Sequence, residues 1–365
     1  MAPTLRRIWA TSPRCAKMPR LDCLVATITS IERVTVVALW GRAQVIGEQA
    51  ERKIVAYPTL TGPLSVGDDV QLNVTATNLS LGTGGVDFVM GRASSCPLAP
   101  VGYPRGGGNH KQVEHIIKLR YTPLQHAVAV AEQSAAWDDT VVALEGVRVV
   151  ACLLHSQVAL VAAAAKAASP EVRIAYVMTD SAALPLGFSK LVGQLRAVGL
   201  LDSTLTCGQA FGAERECVTL PSALIAAQTL EKATLIIVAP GPGNAGTGTR
   251  YGFSGIEQAW ALHVVAALGG RAICCLRASE ADPRARHRGV SHHSRTVLEL
   301  CGARPLAGWP QGTPLPDNIA AELVLTDPEP GLLLLEKNKI RVTSMGRTAE
   351  QDPLFFRVSA ASGCV

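Results

Sequence analysis

A chain of 365 residues has room for two domains, and apolar residues at 48% supply enough core for both. Charged residues at 17% and aromatics at 4% are sparse, and a formal net charge of +5 is too small to mark a nucleic-acid binder by itself, though it permits an anionic ligand. The ten cysteines form no CxxC pair, and Cys152, Cys207, Cys274, Cys275 and Cys301 sit inside apolar runs, which is the usage of buried free thiols in a reducing, cytoplasmic compartment. Cys364, near the C-terminus, is read as a bystander, with an exposed reactive thiol as the alternative.

Residues 1–20 carry Arg6, Arg7, Arg14, Lys17 and Arg20 and no acid, without the apolar core of a secretory signal. A disordered basic tail is expected, with a transit peptide or a true start at Met18 as alternatives. Residues 21–91 are predicted to form a small β-barrel: "CLVATITSI", "VTVVALW", "AQVIGE" and "RKIVAYP" are short β-rich runs, and "SVGDDVQLNVTA" turns at Gly67-Asp68 before alternating Val70, Leu72 and Val74 inward. With few surface rings for stacking bases, a structural or interaction module is favoured over a nucleic-acid binder.

Residues 92–115 read as a Pro/Gly linker, and "HIIKLRYTPLQHAVAVAEQ" as a strand pair or arm. Lys118 and Arg120 would share one face of that extended segment, toward ligand or toward solvent. From residue 116 to 325 an α/β, doubly wound and mostly parallel sheet is expected. Strands at 147–154, 172–178, 203–206, 234–239 and 271–276 alternate with helices at 158–168, 184–199, 221–232 and 255–268. The apolar stretch 147–165 is interrupted by Arg148, His155, Ser156 and Gln157, so it is not a membrane span. Residues 326–365 are left as a C-terminal tail or extension.

Ligands of an open parallel sheet bind beyond the carboxyl ends of its strands. Those ends carry His155-Ser156-Gln157, Asp180-Ser181, Cys207-Gly208-Gln209, a glycine-rich connection, and residues 277–280. The connection "GPGNAGTGTRYGFSG" contains a literal G-x-G-x-x-G in Gly241, Gly243 and Gly246. It departs from a dinucleotide motif because the next helix has its own start signal, a capping box Ser254-Gly-Ile-Glu257, and because Trp260 and His263 stand where a ribose-binding acid belongs. A standard NAD or FAD site is therefore not expected, nor is a P-loop. The glycines, with Thr247, Thr249, Arg250 and Ser254, fit either an anion nest or a purely structural Ω-loop.

The second concentration is "RASEADPRARHRGVSHHSRT", holding His287, His292 and His293 among its arginines. Arg284, Arg286 and Arg288 suit a phosphate or carboxylate clamp. Asp180, His287 and His292 are the acid/base candidates, and Asp180, Asp282, His287 and His292 the candidate ligands of a divalent metal. His292 and His293 are neighbours and on regular structure are expected to point in different directions, so that they would not easily share one metal. A solvated basic loop is the bland alternative, as a helix cap is for Asp180-Ser181 and a hydrogen-bonded packing role for His155.

"LGTGGVDFVMG", "KLRYTPLQ", "AYVMTDSAALPLGFSKLV", "GPGNAGTGTRYGFSGIEQ" and "DPRARHRGVSHHS" resemble a family of uncharacterised bacterial proteins, a domain of unknown function common in actinobacteria and firmicutes, over about residues 21–325. "GGGNHKQVEHII" is longer than the family's usual entry into its "KLRYTP" segment. The resemblance implies a bacterial cytosolic protein and supplies no activity or catalytic residue. The preferred reading is an α/β enzyme acting on a small anionic or phosphorylated substrate at the C-terminal rim of the sheet. The rivals are a nucleic-acid or ribonucleoprotein module and a protein-interaction scaffold; no membrane partner is expected.

Overall fold

The computed structural model describes residues 21–35, 38–81, 85–95 and 116–365; the expected basic tail and nearly all of the expected linker lie outside them. The chain divides into two compact units, with the boundary between Val130 and Ala131.

In the N-terminal unit, β1 (Cys23–Val34), β2 (Leu39–Val45), β3 (Arg52–Ala56), a one-turn helix α1 (Pro58–Thr61), β4 (Asp69–Asn73), a second turn α2 (Thr75–Asn78) and β5 (Asp87–Arg92) build a closed barrel of order β1-β2-β3-β5-β4. The barrel closes because β3 and β5 run parallel while every other pair is antiparallel. Strand β1 serves two neighbours, and bulges after Ile28 and Ile31 bend it to do so. At the crossing a Cβ on Gly41 would stand 2.2 Å from the Ser30 carbonyl oxygen, so only glycine fits. Val70, Leu72 and Val74 are buried as expected, and Gly67 turns at φ 91°. The run 34–40, expected as one strand, instead holds the end of β1 and the start of β2.

The strand pair β6 (Ile116–Lys118) and β7 (His126–Val128) belongs to this unit rather than to the α/β part. The buried Asn73 side chain donates to the carbonyls of Pro123 and Gln125 and ties the pair's connection to β4.

The C-terminal unit contains β8 (Arg148–Cys152), α3 (Gln157–Ala168), β9 (Ile174–Thr179), α4 (Lys190–Ala197), β10 (Ser203–Thr206), β11 (Arg215–Glu216), α5 (Leu220–Thr229), β12 (Leu235–Pro240), α6 (Glu257–Ala267), β13 (Arg271–Cys275), the small pair β14 (Ala278–Ser279) and β15 (Gly289–Val290), α7 (His292–Leu300), β16 (Leu306–Pro310), β17 (Glu322–Thr326), α8 (Glu329–Lys337) and α9 (Pro353–Ala361). Eight strands form one parallel sheet of order β11-β10-β9-β12-β8-β13-β16-β17. Its central strands, IAYVMT and LIIVAP among them, are apolar and buried throughout, as strands covered on both faces must be. One face packs against α5, α6 and α7, the other against α3, α4 and α8, with α9 reaching both cores. The sheet is therefore doubly wound. The stretch 147–165 is β8 and the start of α3, and no described helix is long and apolar enough to cross a membrane.

Residues 326–365, expected as a tail or extension, are folded into this unit. Phe355 and Phe356 of α9 are buried, and α8 lies so close to the alanine-rich α3 that a Cβ on Gly331 would come within 2.5 Å of the Ala164 Cα. Small residues on both helices permit that approach.

Candidate functional site

The chain leaves β8 and β9 toward one face of the sheet and leaves β12 and β13 toward the other, so the rim above their carboxyl ends is the crevice where connections part. Two stations occupy it.

The first is a hollow of about 160 Å³ between the ends of β8, β9, β10 and β12 and the first turns of α5 and α6. Thr179, Asp180, Gly208, Thr219, Glu257 and Gln258 supply its polar lining. Asp180 Oδ2 accepts from the Gln209 N–H at 2.8 Å, and Gly208, at φ 63°, leaves room for that carboxylate. Asp180 caps no helix: α4 begins only at Lys190, with the Ser189 hydroxyl accepting from the Val192 N–H, so the helix expected from 184 is shorter. The Thr179 hydroxyl donates to Glu257. Burial raises the Glu257 carboxyl above its ordinary value; Thr179 offsets this in part and Asp180 adds to it. The Gln258 amide nitrogen donates to the carbonyls of Ala151 and Cys275, while its buried Oε1 has no partner among the described residues.

Glu257 is the residue that sequence reasoning missed. The S-x-x-E pattern pointed to a capping box, but Ser254 opens a 3-10 turn, its hydroxyl accepts from the Ala245 N–H, and the N-cap of α6 is Ile256. The Glu257 carboxylate is thereby released into the hollow. His155 takes the packing role: its ring nitrogens lie 3.1 Å from the Pro240 carbonyl and 2.7 Å from the Ser189 hydroxyl, and burial lowers its pKa.

The second station is where the glycine connection meets the segment after β13. Phe253 stacks on His293 with centroids 3.8 Å apart and planes 9° apart; a Cβ on Gly248 would lie 3.2 Å from the Arg286 guanidinium; and Arg250 pairs with Glu299 of α7. Within the connection, Thr247 and Thr249 bond each other and the Gly252 backbone, and Gly246 bridges Phe253. These hydroxyls are thus engaged in closing a compact loop. Of Gly241, Gly243 and Gly246 only Gly243 takes a positive φ, and Gly241 is needed because a Cβ there would stand 2.3 Å from the Ala183 carbonyl oxygen.

His287, at the end of a 3-10 turn, and His292 and His293, at the start of α7, bring one ring nitrogen each to within 4.8 Å of the others. The expectation that His292 and His293 diverge is overturned. Consecutive side chains on a helix differ by about 100°, not the 180° of a strand, and their ring centroids are 4.2 Å apart. The Ser291 hydroxyl lies 2.7 Å from His287 Nδ1, accepts from the His293 N–H, and so serves as the N-cap of α7. Burial and then Arg277 and Arg284 lower His287 to about 4, burial and then the neighbouring His292 lower His293 to about 3, and burial with Arg286 lowers His292, so the rings are neutral at neutral pH.

Asp282, expected as a metal ligand, has a different task. It is fully buried, accepts from Arg284 at both oxygens and from Arg277, and lies 3.6 Å from Arg347, which in turn pairs with Asp352. Hydrogen bonding to Arg284 holds its carboxyl well below the usual range. Arg284 is consequently spent on Asp282 rather than paired with Arg286 as a clamp, while Arg288 donates to the Asp282 carbonyl. Arg286 is exposed and has no carboxylate partner among the described residues. Asp180 lines the first station, and the three-histidine group does not include it. Lys118 and Arg120 lie in the N-terminal unit: the strand ends at Lys118, Leu119 turns at φ 52°, and Lys118 is buried while Arg120 is exposed, so they share no face.

The fold and rim define a parallel α/β protein with its polar groups gathered above the carboxyl ends of the strands. The chain belongs to the family described as protein of unknown function DUF3866, matched over residues 53–363, a span that takes in the C-terminal helices as well. No curated protein and no solved structure matches the chain.

Proposed function

We propose that the chain is an enzyme acting on a small anionic, phosphorylated substrate at this rim. The observation that carries the reading is Arg286: an exposed guanidinium without a carboxylate partner among the described residues, set between the glycine connection at Gly248 and the neutral imidazole of His292. Its neighbours Arg277 and Arg284 are engaged by Asp282, so Arg286 is the guanidinium left to pair with an incoming phosphate or carboxylate. His287 and His292 offer ring nitrogens on this side of the rim, for a proton or for a metal, and Asp180 with Glu257 forms an acid/base pair at the hollow. Buried reduced cysteines at Cys152, Cys207, Cys274, Cys275 and Cys301 support a cytoplasmic setting.

Thermal unfolding against inorganic phosphate and a panel of phosphorylated metabolites tests the reading, since a ligand selective for the folded chain raises the melting point by mass action. A saturable rise is expected with at least one of them, and Arg286→Ala should remove it while the unliganded melting point stays within about 2 °C. Retention of the whole rise by Arg286→Ala, or no rise with any anion, overturns the assignment.

A further inference from the structure

We infer that His287, His292 and His293 together bind one divalent first-row transition metal, zinc-like in its preference for nitrogen donors, leaving a coordination position open beside Arg286. This deepens the anion site proposed above and rests on it only for what occupies the open position.

Three features carry the inference. One ring nitrogen from each histidine lies within 4.8 Å of the other two. A tetrahedral zinc with bonds of about 2.05 Å sets its ligands about 3.3 Å apart, so small ring rotations close the set. Next, His292 Nε2 and His293 Nδ1 are shielded from water and have no hydrogen-bond partner among the described residues. An orphaned buried nitrogen costs free energy unless something accepts its lone pair or proton. Finally, the scaffold orients the rings as metal ligands are oriented. Ser291 lies 2.7 Å from His287 Nδ1, so an Nδ1 proton donated to its hydroxyl leaves Nε2 as the lone-pair donor, and Phe253 clamps His293 by stacking.

The donor set also selects the metal. Three imidazoles without thiolate or carboxylate suit zinc, cobalt, nickel or copper rather than magnesium or calcium. Three protein ligands rather than four is the arrangement that leaves a water or substrate oxygen in the remaining place. Arginines oppose a bare cation here, but Arg277, Arg284 and Arg347 share Asp282 and Asp352. An anion held between metal and Arg286 removes much of what opposition is left.

The test is metal titration of the purified, chelator-treated full chain, read by cobalt absorption and by zinc competition. Wild type is expected to take one equivalent of cobalt, with the intense visible bands of a four- or five-coordinate ion, and to exchange it for zinc. His292→Ala and His287→Gln should each weaken binding by about 100-fold or more. X-ray absorption of the zinc-loaded wild type should count two or three imidazoles, a readout that stands even if a variant fails to fold. Absence of stoichiometric binding, full affinity in both variants, or at most one imidazole in the absorption spectrum overturns the inference. Arg286→Ala separates the two proposals: with the metal retained and the phosphate response lost, both stand. Metal retained with the phosphate response intact sinks only the anion reading, and a wild type that answers phosphate but takes no metal sinks only this one.

Discussion

The two stations of the rim are built from opposite materials. The hollow beside β9 and β12 presents acceptors: two carboxylates and an amide oxygen without a partner among the described residues, with burial pushing Glu257 toward its protonated form. The station beside β13 presents imidazoles and guanidinium groups, and burial pushes the imidazoles toward their neutral form. Burial therefore acts on both in the same sense, suppressing charge, yet it acts on a carboxyl group on one side and on nitrogen bases on the other. The stations are joined by chain: Phe253 stacks on His293, and Glu257, at the start of α6, lines the hollow. What differs is how the charge is managed, because the second station has a buried ion network centred on Asp282.

The strongest way to break the comparison is to remove that network. Asp282→Ala would leave Arg277, only 6% exposed, without its counter-charge, and breaking a buried pair in this way costs about 3–5 kcal/mol. Chemical denaturation should show a loss of that size, together with loss of cobalt binding, because the segment carrying His287 is anchored by the same carboxylate. A loss below about 1 kcal/mol, the worth of a surface pair, would mean that Asp282 does not organise the station.

On the other side, Gly208→Ala strikes the hollow. The residue sits at φ 63°, and its new Cβ would fall 2.2 Å from Asp180 Oδ2. Left-handed strain and displacement of the carboxylate together cost about 1–3 kcal/mol, and metal binding at the histidines should be unchanged. If Gly208→Ala lowers cobalt affinity, the stations are not independent and the contrast between them fails.

How much of this the sequence disclosed depends on the range of the contacts involved. The strands β8, β9, β12 and β13 were legible because a buried parallel strand is a short apolar run, and β-α alternation then dictated the sheet. The glycine connection and the His/Arg segment each follow a strand at the same rim, and Phe253 stacked on His293 is where they meet. Pattern alone mistook Glu257 for a capping residue, since a capping box and a helix-entry carboxylate share one spelling. It also gave Asp282 to a metal, because nothing local announces that Arg347, sixty-five positions later, will claim it. The helix α9 was missed for a related reason: its burial is decided by α3 and β16, which lie far away along the chain.

A subtler probe is the pH dependence of Glu257→Gln. Burial raises the folded carboxyl above the unfolded reference of 4.5, so ionisation costs stability above the folded value, and that cost vanishes as pH falls to 4.5. The glutamine, whose amide oxygen still accepts from Thr179, carries no such cost. The variant should therefore be the more stable chain at pH 8 and match wild type near pH 4.5, which urea midpoints at the two values will show. A wild type more stable than the variant at pH 8 would mean that the hollow favours an ionised carboxylate, and the contrast with the imidazole station would lose its acid side.

The smallest effect separates Arg250 from Arg286. Arg250 reaches Glu299 across the glycine connection, but both side chains are more than half exposed, at 61% and 52%, and an exposed pair in water is screened and entropically loose. Arg250→Ala is expected to leave the melting point unchanged and to trim the phosphate response less than Arg286→Ala does, because Arg286 lies beside the histidines whereas Arg250 already has a partner. The reverse ranking, with Arg250→Ala abolishing the response and Arg286→Ala sparing it, would move the anion to the exposed tip of the connection. The histidine station would then be a metal centre without a substrate beside it.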